Sequence, residues 1–302
     1  MQISSLIDFV LHRYDRLIYP KTKISKLTYT AKLTTPKTSA SYTQKIPFHV
    51  WQTWKTIHLP PRLFRVLQRF RRNNPEYYHH LFNDQDCDNF MREFYRGTDV
   101  ETAYFRINPN FGAARADLWR YCVLYKFGGV YIDIDSTCTV PLRAIIQDND
   151  EAILSHENNT IETWKHSLSE LGFPDLLNSP PEHRLQHHDK VLLQWLLIYT
   201  PQHPFLKQVI EDTTHTILSR RSFSNQSKLN SHLQTLVFTG PLRYTSSIWK
   251  VLDTRADRDI QYRVDGIDFS GKALFQYFGQ SDKDTQSKHY TSLSESLIVP
   301  DK

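Results

Sequence analysis

Ala114–Val140 reads ARADLWRYCVLYKFGGVYIDIDSTCTV, a helix, a glycine turn and a strand that ends in two carboxylates. From Ala113 to Phe127 there is neither Gly nor Pro. Leu118, Tyr121, Cys122 and Tyr125 recur at spacings of three and four, the pattern of one buried helix face. Gly128 and Gly129 stop that helix, because glycine takes positive φ without a Cβ clash. Val130 to Asp135 then alternates, sending Val130, Ile132 and Ile134 to one side and Tyr131, Asp133 and Asp135 to the other. Both carboxylates are expected on one strand face, with side-chain origins roughly 6.6 Å apart from a rise of about 3.3 Å per residue.

That separation disfavours symmetric chelation of one ion and suits a divided task. Asp135, at the strand's end, is expected to touch a hard divalent cation, while Asp133 reaches a sugar hydroxyl or a metal-bound water. Mg2+ or Mn2+ fits an oxygen donor set shared with phosphate and water. On the preceding helix Asp117 and Arg120 stand three apart and share a face. They would set an acceptor and a guanidinium fork for phosphate or hydroxyl beside the metal.

The run D-x-x-R-Y-x-x-L-Y-x-x-G-G-x-Y-x-D-x-D, Asp117 to Asp135, resembles the core signature of glycosyltransferase family 32. Further segments match the family's pattern. IPFHVWQTWK from Ile46 resembles its opening motif, and NPEYYHHLFNDQDCDNFM from Asn74 its second strand and following helix, with Asp84 as the expected cap. TPQHPFLKQVIED from Thr200 resembles a recurring loop and helix, and VFTGP from Val237 a lead into another helix. The likeness covers Ile46 to Pro204 and continues in part to Trp249.

The resemblance implies an α/β fold of GT-A type, a Rossmann-like mixed sheet flanked by helices. It implies a metal-dependent hexosyltransferase that moves a mannose or galactose type sugar from a GDP- or UDP-hexose donor to a glycan or glycolipid hydroxyl, with retention of configuration. Capsular polysaccharide, lipid-linked glycan and inositol phosphoceramide are acceptors compatible with the family. Asp117, Arg120, Asp133 and Asp135 become the catalytic candidates, and Gln52 and Trp54 border the nucleotide, where an indole can stack on a base. Trp51 stands where the family commonly has His and is read as core. Thr239 and Gly240 either offer a hydroxyl and backbone donors to the substrate or form a generic turn. His289, between Lys288 and Tyr290, is the nearest counterpart of a family His that closes over metal and diphosphate. It is either a third metal or diphosphate contact, with Asp135 and Asp133, or a surface residue. No general base is named, since the departing phosphate can take the acceptor's proton.

Outward from this core the chain is an ordinary globular sequence of 302 residues, 39% hydrophobic and 23% charged. Residues 1–45 carry eight Lys or Arg against two Asp, a net +6; the whole chain is +5, which leaves −1 for residues 46–302. The division expected is a basic amphipathic helix and linker over 1–45 and the GT-A domain over 46–302. Ile3, Leu6, Ile7, Val10, Leu11, Tyr14, Leu17 and Ile18 recur at helical spacing. That helix either lies on an anionic membrane as a peripheral contact or docks on the domain itself. No run reaches the roughly 18 apolar residues of a membrane span, and no signal-peptide pattern is present. Three cysteines without CxxC spacing argue for reduced, buried thiols and a cytoplasmic-type compartment.

Pro61 to Arg72 reads as a helix with Leu63, Val66, Leu67 and Phe70 inside and Arg62, Arg65, Arg69 and Arg72 on another stripe. The stripe is either a solvated face or a dock for an anionic lipid headgroup or glycan. Glu151–His156 reads as a strand, and Val191–Thr200 as a helix behind surface residues His187 and His188. Nucleic acid is not indicated, because the positive charge lacks interleaved aromatics.

Two other readings compete with the transferase. Asp133-Ile134-Asp135-Ser136-Thr137 after an apolar strand also fits the D-x-D-x-T motif of haloacid-dehalogenase phosphatases. That reading needs a later acidic pair after a strand, for which Asp257 and Asp259 are poor candidates, and it leaves Asp117 and Arg120 unused. The other alternative is a non-catalytic sugar- or membrane-binding module of the same fold.

Overall fold

A computed structural model describes residues 29–30, 43–170, 172–174, 176–177, 185, 187–219, 231–254, 260–275 and 295–299. The N-terminal helix expected around Ile3 to Ile18, the pair Asp257 and Asp259, and His289 lie outside the described residues.

In chain order the first half holds β1 (Tyr29–Thr30), β2 (His49–Thr53), β3 (His58–Leu59), α1 (Pro61–Asn73), β4 (Tyr78–Phe82), α2 (Asp84–Phe94), α3 (Asp99–Arg106), α4 (Gly112–Phe127), β5 (Gly129–Ile132) and β6 (Ser136–Cys138). The second half holds β7 (Ala152–Thr160), α5 (Glu162–Glu170), β8 (Lys190–Leu192), β9 (Leu196–Tyr199), α6 (Pro204–Ser219), α7 (Ser231–Phe238), α8 (Pro241–Thr254), β10 (Arg263–Ile267) and β11 (Ala273–Phe275). The main sheet runs β10-β7-β9-β5-β2-β4, with β8 on β7. β4 and β5 flank β2 in parallel, and β10 is parallel to β7. β9 is antiparallel to both β5 and β7. Five strands therefore end at one edge of the sheet, and β9 starts there.

The strands have two apolar faces, as central strands must. Trp51, Tyr131, Leu154 and Leu197 face the core built by the longer helices. Val50, Val130, Ile132, Ile153 and Ile198 face a second core closed by Leu142, Ile145 and Phe269. The α/β class with a helix-flanked mixed sheet is as expected.

Several local expectations are corrected. Ile46, Phe48 and Val50 alternate as a buried strand would, but the strand is His49–Thr53, and Ile46 is buried before it without joining the ladder. Asn83, not Asp84, caps α2: its side chain accepts from the Asp86 N–H while Asp86 accepts from the Asn83 N–H, a reciprocal box. Val191–Thr200 is no helix but the end of β8, a loop and β9. A short apolar run fits a central strand as well as a buried helix, and only pairing with β5 and β7 decides. The helix of the founding motif, α4, is buried on nearly every side, Leu118 through Leu124 without a break, rather than on one face. Trp51 is core as expected: its indole N–H donates to the Gly128 carbonyl at 2.9 Å and its ring stacks on His80 at 4.2 Å.

Gly129, at φ 100°, is where β5 closes on β2; a Cβ there would lie 2.4 Å from the His49 carbonyl oxygen. The glycine turn thus ends the helix and also lets two parallel strands meet.

Burial of imidazoles gives the fold a pH dependence. His49 Nδ1 and His80 Nε2 lie 3.0 Å apart and share one proton. His203 accepts the Phe205 N–H on Nδ1 and donates from Nε2 to the Gln261 carbonyl, so it too must be neutral. Desolvation lowers His49, His79, His156 and His203 to about 4, and holds His80 well below the ordinary imidazole range. Their folded values lie below the unfolded one, so their stability is present above about 6.5 and is lost as pH falls through about 4. Asp135 and Glu157, pushed up to about 7 by burial, work in the opposite sense and offset part of this. Denaturant unfolding is expected to lose about 3 kcal/mol between pH 7 and pH 5. Equal stability at the two values would contradict the burial of neutral histidines.

Candidate active site

β5 stops at Ile132, so the two aspartates are not on a strand face as expected. They sit in the turn between β5 and β6, closed by the Ser136 N–H donating to the Asp133 carbonyl at 3.0 Å. The turn lies at the edge where the parallel strands end, and the Asp133 N–H reaches across to the Trp195 carbonyl just before β9, at 2.9 Å. Open α/β sheets place ligands outside this edge. Ile134, between the two aspartates, packs into the apolar face of α1 beside Leu63 and Leu67, which fixes the turn from behind.

Asp133 is the hinge between surface and interior. Its side chain is 26% exposed, and its Oδ1 lies 3.3 Å from Arg120 Nη2. The Tyr131 hydroxyl donates to the same oxygen at 2.7 Å. Behind it the Asp117–Arg120 pair, 3.1 Å apart, is only 6% exposed on each side. Arg120 also donates through Nη1 to the Gln194 side-chain oxygen at 2.9 Å and the Gln194 carbonyl at 3.2 Å, and lies 4.3 Å over the Tyr131 ring. Four of its five N–H bonds are thus used inside the protein, which corrects the expectation of an open fork for phosphate. Its Nε is buried without a partner.

Asp117 receives Gln194 Nε2 on Oδ1 and the Thr239 hydroxyl on Oδ2, each at 2.9 Å. Burial pushes this carboxyl up, against Arg120, Gln194 and Thr239, which favour its charged form. Burial likewise opposes charge on Arg120, but Tyr131, Asp133 and Asp117 outweigh it and hold the guanidinium protonated. The two directions conflict over how far Asp117 stays ionised. Three donors converging on one carboxylate decide for the ion pair.

Thr239 and Gly240, expected to present donors to a substrate, use them in the fold. Both N–H groups donate to the Thr235 carbonyl, at 3.1 and 2.8 Å. Gln52 is 1% exposed, and both of its side-chain amide atoms lack a partner. Trp54, one residue past β2, is half-buried with its indole N–H unpaired. Unsatisfied buried polar atoms beside the carboxyl edge are what a missing ligand would leave.

Asp135 shares the turn, and its carboxyl is pushed up to about 7, first by burial and then by Asp133. Among the described residues no group of three or more His, Cys, Asp or Glu side chains gathers to hold a metal. The oxygen-only pair Asp133 and Asp135 still fits a hard cation. Asp135 resists ionising in its buried place beside Asp133, a cost that a cation relieves, and two carboxylates leave room for phosphate and water oxygens.

Two residues at this edge are not visible in the sequence pattern. Gln194 lies just before β9 inside an apolar run that reads as a helix, and only the antiparallel entry of β9 brings it to Asp117. Glu157, late in β7, is pushed up to about 7 by burial, against Asn159 and with Asp268 and Asp133 adding to the rise. Its neighbour Asp268 opens a left-handed stretch with Phe269 and Ser270, φ 48°, 53° and 55°. A sequence pattern carries no signal for either. All three cysteines are free and buried, as expected.

Comparison with known proteins adds to this geometry. Residues 60–158 match the family model described as "Glycosyltransferase sugar-binding region containing DXD motif". The initiation-specific alpha-1,6-mannosyltransferase of Candida albicans is 28% identical over 231 residues, covering 70% of this chain and 55% of that protein. Inositol phosphoceramide mannosyltransferase 2 of Schizosaccharomyces pombe is 36% identical over 101 residues, 33% of this chain and 28% of that one. Among solved structures, the PaToxG glycosyltransferase overlaps with a TM-score of 0.45 at 13% identity, covering 68% of this chain and 69% of its own. The chain spans about half the length of the Candida relative.

Proposed function

We propose, on the premise that the match of residues 60–158 to the glycosyltransferase sugar-binding region containing the DXD motif extends to its chemistry, that this chain is a metal-dependent, retaining hexosyltransferase. The observation that carries the reading is the Asp133–Asp135 turn at the carboxyl edge, backed by the buried Asp117–Arg120 pair. The donor is a GDP- or UDP-hexose, and the mannosyl names of the relatives favour mannose as the sugar moved. The acceptor is a glycan or glycolipid hydroxyl.

Asp135 and the second oxygen of Asp133 would hold Mn2+ or Mg2+, with His289 as the proposed third contact. When bound, such a cation neutralises charge on the departing diphosphate. The chain's own residues do the rest. Gln52 supplies an amide that is paired by nothing else, Trp54 an indole for the base, and Asp133 a carboxylate already oriented by Tyr131 and Arg120. The fixed Asp117–Arg120 pair keeps that orientation, so the donor meets a site that does not reorganise.

No helix of the described residues is long and apolar enough to cross a membrane. The proposed peripheral contact is the stripe Arg62, Arg65, Arg69 and Arg72, on the outer face of α1. Its sedimentation with anionic vesicles should weaken in Arg65→Gln/Arg69→Gln; undiminished binding would exclude the stripe.

Nucleotide release from a panel of GDP- and UDP-hexoses with Mn2+, beside an EDTA control, tests the function. Release from one donor that chelation abolishes is the expected result. No metal-dependent release with any donor, in a folded protein, would replace the transferase by a binding module.

A further inference from the structure

Gln194 is 5% exposed, and every polar position of its side chain is used. Nε2 donates to Asp117 Oδ1 at 2.9 Å and to the Tyr121 hydroxyl at 2.8 Å. Oε1 accepts from Arg120 Nη1 at 2.9 Å, and the Gln194 carbonyl takes a second bond from that nitrogen. Chemistry fixes the amide's orientation. Turned over, it would set its NH2 against a guanidinium and its oxygen against a carboxylate, two repulsive contacts in place of two charge-assisted bonds. Tyr121 in turn donates to the Thr239 carbonyl at 2.8 Å, and the Thr239 hydroxyl holds the other oxygen of Asp117. The amide is thus keyed between an anion and a cation, inside a closed ring of donors and acceptors.

We propose that Gln194 is a positioning residue of the transferase site, a polarity key that locks Asp117 and Arg120 and, through Arg120, the orientation of the half-buried carboxylate Asp133. It acts through these neighbours and touches no reacting atom. The proposal rests on the transferase reading for its effect on turnover, but the lock itself is a property of the folded chain. Glutamine is required because the position must donate to a carboxylate and accept from a guanidinium at one time. Glutamate offers two acceptors unless protonated. A hydrocarbon of the same length offers neither role and leaves Asp117, Tyr121 and Arg120 each short of a partner.

The decisive variant is Gln194→Glu, which keeps shape and changes one group. Its new carboxyl meets Asp117 where the N–H had been, so the two acids must share a proton, and the pair binds that proton well above the unfolded glutamate value. Turnover is expected to fall about a hundredfold at pH 8 and to recover as pH is lowered towards 5.5, an acid-favoured limb absent from the wild type. The melting temperature should show the same linkage without any substrate: because the folded carboxyl is raised, the deficit against wild type grows as pH rises. Tyr121→Phe, which removes one acceptor of the key and no charge, should lower turnover several-fold without a new pH limb.

A Gln194→Glu protein with the wild-type pH profile and a melting deficit independent of pH would overturn the proposal. If Gln194→Glu does not fold at pH 8, purification at pH 5.5 with Tyr121→Phe alongside keeps the test open; wild-type turnover in Tyr121→Phe and no pH-linked deficit at pH 5.5–7 again overturn it. Should the wild type release no nucleotide from any donor, the transferase reading fails on that control, and the melting measurements still decide whether the lock exists.

Discussion

Asp135→Ala is expected to cut nucleotide release a hundred- to a thousandfold, the usual cost of removing one electrostatic partner of a developing charge. The fold should not suffer with it. The Asp135 carboxyl sits at about 7, raised first by burial and then by Asp133, so its ionised form is disfavoured in the native state. A carboxyl raised on folding adds stability below its unfolded value and loses it as pH climbs through the folded one. At pH 8 the alanine variant, free of that penalty, should be as stable as wild type or more so, and the advantage should shrink below pH 7. Melting curves at pH 8 and pH 6 with release assays in Mn2+ separate the two effects. Undiminished release in a folded Asp135→Ala protein would remove the aspartate turn from the chemistry. A variant markedly less stable at pH 8 would contradict the strain between the carboxylates.

Arg120→Met is expected to do the reverse and damage fold and function together. The guanidinium, buried with Asp117, is the common partner of Asp117, Asp133 and Gln194. Removing one member of a buried pair strands the other charge, at about 3–5 kcal/mol. Lysine should not rescue it: an ammonium is a point charge and cannot serve partners spread around a planar fork. Neutralising the stranded anion should help, so Arg120→Met/Asp117→Asn is expected to be more stable than Arg120→Met alone. Denaturant unfolding of the three proteins checks this. A double variant less stable than the single one would show that Asp117 is held by Gln194 and Thr239 regardless of its charge partner.

Much of this site is legible in one string of residues, and the reason is local. α4, the glycine turn, β5 and the aspartate turn are contiguous, so spacing alone ties Asp117, Arg120, Asp133 and Asp135 to one another. The same string misleads where geometry depends on distant chain. Alternation suggests a strand running through Asp135, but β5 stops at Ile132, and the next three residues turn towards β11. Amphipathic spacing in α4 conceals a helix covered on nearly every side, and burial is what converts Asp117 and Arg120 from a solvent-facing fork into a closed pair. Gln194 is invisible because LLQWLLI has the apolar density of a helix or a central strand alike. Its role depends on β9 entering the sheet against the direction of its neighbours. Thr239 stands out in the sequence, but for a ligand; its partner is a residue 122 positions earlier in the chain.

The short ladder between β6 and β11 fixes the point from which the C-terminal stretch sets out. Phe275 stands opposite Ser136, the residue after Asp135, and it is the last of β11. The ladder therefore ties Phe275 to the residue that leaves the aspartate turn, 139 positions earlier in the chain, so the turn is clamped on its far side by backbone from the other end of the fold.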